Sequence, residues 1–130
     1  VEIQLNNQNL RGIRGAIDVP ANNSKEILEA AKELLQTIMH RNLLEKDQIA
    51  AAIFSMTVDL DAAFPAKAAR EMGWKHVPLF CTNEVSVPGS LPHCIRVLLL
   101  VNTGKSAQEI IHVYLRGAVV LREDLQNEDE

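Results

Sequence analysis

Between Lys25 and His40 apolar residues recur at three- and four-residue intervals: Ile27, Leu28, Ala31, Leu34, Leu35, Ile38 and Met39. That period predicts a helix whose apolar stripe belongs in a core. Asn23-Ser24-Lys25-Glu26 resembles a capping box and marks its start. Elsewhere apolar residues run together, which predicts strands over Arg11 to Val19, Gln48 to Met56, Val77 to Cys81, Cys94 to Val101 and His112 to Leu115. Gly12 and Gly15 allow close backbone approach in the first of these. A loop with Asp59 and Asp61 leads to Pro65, well placed to start a short helix over Ala66 to Met72 that Gly73 stops. Ser106 to Ile110 predicts a helical turn. The fold class is α+β, a mixed sheet with one long and one short helix. Two helices leave the second face of such a sheet bare, so another subunit is expected to cover it.

One residue breaks the pattern. Arg96 lies inside Cys94-Ile95-Arg96-Val97-Leu98-Leu99-Leu100-Val101, the most apolar run of the chain. The run reads as a strand covered on both faces, where an unpaired guanidinium would be very costly. Arg96 therefore needs an anion, either Glu84 in an internal pair or a bound ligand.

Length and composition set the frame. The 130 residues suit one domain with its own core. Residues 1–9 read as a flexible lead-in, 10–125 as the domain and 126–130 as a flexible acidic tail. A net charge of −4 and only five aromatics (Phe54, Phe64, Trp74, Phe80, Tyr114) argue against a nucleic-acid binder. No apolar run is long enough for a membrane span, and no basic leader precedes the domain, so a cytoplasmic location is expected. Cys81 and Cys94 read as a reduced pair, and neither they nor the four histidines have metal-ligand spacing. No metal or cofactor is expected.

A search for covalent or acid–base machinery fails. Ser55, Ser86 and Ser90 lie in no nucleophile elbow, and no phosphate loop or dinucleotide fingerprint is present. What remains is a set of anion-binding groups: Arg14, Arg96, and Lys67 with Arg70 on one helix face. Glu84 and Cys81 lie at or just after the end of the third predicted strand, and Tyr114 is the only tyrosine. Each has a plainer reading: Arg14 paired with Asp18, Lys67 and Arg70 as a solvated face, Cys81 as packing, Tyr114 as a boundary residue.

The flanking residues add a resemblance. Arg11-Gly-Ile-Arg-Gly-Ala16, Asp61-Ala-Ala-Phe-Pro-Ala-Lys-Ala-Ala-Arg70, Val77-Pro78, Val87-Pro-Gly-Ser-Leu91, Cys94-Ile-Arg-Val97, His112-Val-Tyr-Leu115 and Leu121-Arg122 resemble the AroH-class, Bacillus-type chorismate mutases, in order from Arg11 to Leu125. The resemblance implies a Bacillus chorismate mutase-like fold, a homotrimer forming a pseudo-α/β-barrel with active sites between subunits. It implies rearrangement of chorismate to prephenate, which needs no nucleophile, metal or cofactor. Arg96 would donate to the ether oxygen and to a carboxylate, Arg14 would bind the enolpyruvyl carboxylate, and Tyr114 would bond a carboxylate. Glu84 with Cys81 would hold the ring hydroxyl. Phe64, Ala66, Lys67 and Arg70 would come from the adjacent subunit, and Leu121 and Arg122 would close over the cleft. The chain departs from the family at Ile111, where Arg is common, at Glu123 within the tail motif, and by one residue before Gly73-Trp74. Two other readings stand beside this one: a trimeric anion-binding or regulatory module without turnover, and a deaminase of similar fold, whose need to activate water predicts a different residue set around the arginine.

Overall fold

The computed structural model describes residues 8–122. Its strands are β1 (Asn9–Asp18), β2 (Ile49–Met56), β3 (Leu79–Asn83), β4 (Cys94–Thr103) and β5 (Val113–Leu115), with helices α1 (Ser24–Arg41) and α2 (Ala66–Glu71). Short 3-10 turns cover Lys46–Gln48, Ala107–Glu109 and Arg116–Leu121. The strands form one mixed sheet in the order β3-β2-β4-β1-β5. β4 runs antiparallel to both β1 and β2, while β2–β3 and β1–β5 are parallel pairs.

The long helix forms where its period and cap direct. The Asn23 side chain accepts the Glu26 amide at 2.9 Å, and His40 and Arg41 lie in the last turn, where cations suit the helix dipole. Ile27, Ala30, Ala31, Leu34, Leu35 and Ile38 are buried against the sheet. The short helix follows Pro65, and Gly73 turns the chain with φ +88°. Strand alternation sends Ile13 and Ile17, Phe54, and Ile95, Val97, Leu99 and Val101 into the same core.

Several bounds differ from the sequence expectation. β1 starts at Asn9, inside the predicted lead-in, and β4 continues to Thr103. Gln48 belongs to a 3-10 turn, its side chain accepting the Glu45 amide. β3 lies two residues later than predicted because its register is set by Ala52 opposite Leu79. The turn over Arg116–Leu121 was not predicted. Residues 1–7 and the acidic tail, 126–130, lie outside the described residues.

This chain does not cover β4 on both faces. Both helices pack on one face, and on the other Arg96, Leu98 and Leu100 are only half-buried. The expectation of a dry interior for Arg96 is therefore corrected: its side chain is 38% exposed.

Candidate active site

The open face of the sheet is built in rows. Register places Ser55 beside Arg96, Arg96 beside Ala16, and Ala16 beside Tyr114, so one row crosses four strands. Small side chains thus flank the guanidinium and leave space above the sheet. The next row pairs Ile53 with Leu98 and Leu98 with Arg14. Glu84 follows β3 directly, and its amide donates to Met56 O at 2.9 Å, which brings its side chain back over the sheet. These residues line a cleft of about 190 Å³: Arg14, Glu84, Arg96 and Tyr114 as polar groups, with Ala16, Ile53, Ser55 and Leu98 among the rest.

Two polar atoms at this cleft lack hydrogen bonds. Arg96 Nε and Tyr114 Oη are buried, and neither makes a hydrogen bond within the protein. Arg96 Nε does lie 3.3 Å from Glu84 Oε1, so the internal pair foreseen as the plain reading exists. Its geometry is electrostatic rather than directional, and it leaves the guanidinium capacity to donate elsewhere. Buried orphan donors are costly and call for a ligand. The neighbouring thiol of Cys94 is pushed above its ordinary pKa by burial, against the pull of Arg96, so it stays neutral.

The wall beyond Tyr114 is the unpredicted 3-10 turn. Ala118 and Leu121 pack with Ala16, Cys94, Tyr114 and Leu91 in a small second cluster on the open face. Asp18 holds this turn by accepting the Gly117 amide at 2.8 Å. The expected plain pair of Arg14 with Asp18 is therefore not formed.

The other expected residues lie elsewhere. Cys81 stands opposite Phe54 and packs against the helix-side core, so its thiol is not at the cleft. α2 belongs to the helix layer: Lys67 and Arg70 are exposed there, Phe64 is 68% exposed, and Ala66 is buried in its own chain's core. None of the four lines this cleft. Arg122 is exposed at the end of the turn. Ser55, at the cleft, and His112, which touches the Arg14 amide but does not line the cleft, are not among the expected site residues. Ser55 was signalled by a hydroxyl in an apolar strand, and His112 only by standing in a quoted motif.

Fold and site together define a small α+β protein with a cation- and phenol-lined cleft for a compact anion. The chain matches the family chorismate mutase type I over residues 10–125, and it belongs to that family. It is 49% identical over 119 residues to the chorismate mutase AroH of Thermus thermophilus, covering 91% of this chain and 98% of that one. With the chorismate mutase AroH of Bacillus subtilis it shares 45% identity over 117 residues, 89% of this chain and 92% of the relative. A solved chorismate mutase from Clostridium thermocellum superposes with a TM-score of 0.83 at 52% identity, covering 84% of this chain and 97% of that chain.

Proposed function

We propose that the chain isomerises chorismate to prephenate by a [3,3]-sigmatropic rearrangement within one molecule, in phenylalanine and tyrosine biosynthesis. It is an isomerase, a chorismate mutase. The observation that carries the mechanism is two buried donors that make no hydrogen bond, Arg96 Nε and Tyr114 Oη, at a cleft shared with Arg14 and Glu84.

Chorismate is a flexible dianion, and only its diaxial form brings the two bonding carbons together. Arg14 on the enolpyruvyl carboxylate and Tyr114 on a carboxylate select that form, so they contribute orientation. As the C–O bond lengthens ahead of C–C bond formation, negative charge grows on the ether oxygen. Arg96 donates there and to a carboxylate, and a charge fixed in advance binds the transition state more tightly than the ground state. Glu84 holds the ring hydroxyl and faces the ring fragment as it becomes partly positive. Cys81 has only its main chain to offer beside Glu84, because its thiol packs on the helix side.

The reading includes a homotrimer in which a second copy covers the open face and completes a pseudo-α/β-barrel. Exposed apolar residues on that face support it: Leu10, and Phe80 opposite the cleft residue Ile53. The adjacent subunit then supplies Phe64, Lys67 and Arg70, with Ala66 through its main chain, while Leu121 and Arg122 close the cleft. Cytoplasmic residence accords with two free cysteines, and among the described residues no helix is long and apolar enough to cross a membrane. The test is chorismate depletion by purified protein, followed at the chorismate chromophore. Absence of turnover at micromolar enzyme would overturn the reading in favour of an anion-binding module.

A further inference from the structure

Arg14 is paired with Leu98 in the β1–β4 ladder, but on the β5 side its amide is met by a side chain. Paired residues of β1 and β5 begin with Gly15 and Val113, one position beyond Arg14. His112, just before β5, closes the gap: its Nδ1 accepts the Arg14 amide at 2.9 Å. A ring nitrogen accepts only without a proton, so the bond requires the neutral ring with its proton on Nε2.

The ring is also fixed from behind. Asn42 is fully buried, and its side chain clamps Ile111 on both sides, accepting the Ile111 amide at 2.8 Å and donating to Ile111 O at 2.9 Å. An anchored backbone therefore presents His112 to Arg14. Burial keeps the imidazole pKa below its ordinary value, and the charges of Arg14 and Arg122, the groups acting on the ring, push the same way.

We propose that His112 is a positioning residue for the rearrangement: as a neutral acceptor it sets the Arg14 main chain and thereby aims the guanidinium at the substrate. This rests on the assignment of Arg14 to a substrate carboxylate. A proton on Nδ1 would set N–H against N–H and loosen the β5 side of Arg14, shifting its guanidinium at the cleft while the pairing with Leu98 keeps the strand in place. A role confined to closing the ladder end would alter stability and leave substrate affinity unchanged.

The experiment is steady-state kinetics with chorismate on wild type, His112→Asn and His112→Ala from about pH 5 to about pH 8, alongside thermal melts. Asn keeps an uncharged acceptor near the Nδ1 position and cannot titrate. For His112→Ala the expected result is KM raised about tenfold, with kcat changed far less, since the Arg14 amide loses its acceptor. His112→Asn should stay near wild type at neutral pH. Wild-type kcat/KM should fall toward the acidic end of this range through the protonation of His112, whose pKa lies below the ordinary 6.5, a loss His112→Asn lacks. Imidazole ¹⁵N shifts of the wild type should show the Nε2–H tautomer at neutral pH, whatever the turnover. An unchanged KM in His112→Ala, the same acidic loss in His112→Asn, or an Nδ1–H tautomer would overturn the inference alone. An inactive wild type would overturn the functional reading and the inference with it.

Discussion

Replacing Arg96 by Ala removes the charge from the centre of the cleft while leaving the helix-side core intact, since β4 alternates and Arg96 lies on the open face. Two unit charges about 3 Å apart at an effective dielectric of about 20 interact by roughly 5–6 kcal/mol, and about half a charge on the ether oxygen gives roughly 3 kcal/mol. Removal of one oxyanion donor elsewhere costs a similar ~3–4 kcal/mol. Both figures predict a loss in kcat of at least about 100- to 1000-fold for Arg96→Ala. Stability should hardly move. The partner carboxylate of Glu84 is partly solvated and the pair is half-exposed, so the lost attraction is within about 1 kcal/mol. Arg96→Lys keeps the charge but loses the planar fork, and should fall between the two. The assay is chorismate depletion across a substrate range, with thermal melting and sedimentation on the same samples. A folded Arg96→Ala protein retaining kcat within tenfold of wild type would refute the electrostatic role.

Gly15→Ala should destabilise by about 1–3 kcal/mol, read as a lower Tm, because its Cβ would lie 2.7 Å from Ile38 Cδ1, 3.1 Å from Leu34 Cδ1 and 3.2 Å from Val97 Cγ1. Asp59→Asn should lower Tm at neutral pH and have little effect in strong acid. Burial resists ionisation of Asp59, but hydrogen bonds from Thr57 and the His93 amide, with the charge of His93, outweigh it and hold the carboxyl below 3.8. A depressed folded pKa means the unfolded chain binds more protons in that window. The contribution is thus complete above 3.8 and disappears as pH falls through the folded value. With no proton transferred in the chemical step, kcat of the wild type should be nearly flat from about pH 7 to 9, and a sharp bell there would indicate acid–base catalysis instead.

The long helix was legible because its period, cap and stripe agree. Strand positions were legible to within two residues, and the misses have physical causes. The start of β3 is set by pairing with Ala52, a partner 27 positions earlier than Leu79, and no local pattern encodes that. The last 3-10 turn has no apolar period; it begins at Arg116 in the left-handed region, φ +54°, and depends on Asp18. Arg96 attracted attention through its company, and Arg14, Glu84 and Tyr114 through residue type and resemblance. Their gathering depends on register, which sequence spacing does not reveal. Cys81 went astray by parity: one position in a strand separates the core side, where it packs, from the cleft side, where Phe80 lies.

The alternation along β4 has a consequence for how this protein can change. Its odd-numbered residues from Ile95 to Val101 sustain the fold, and Arg96, Leu98 and Leu100 face away from that core. Point changes on the even positions can reshape what the cleft accepts without exacting a matching toll in folding, so new selectivities are reachable in single steps. An inserted or deleted residue within the strand does the opposite. It exchanges the two sets at once, placing the arginine under the helices, and neither the folded chain nor its chemistry survives that exchange.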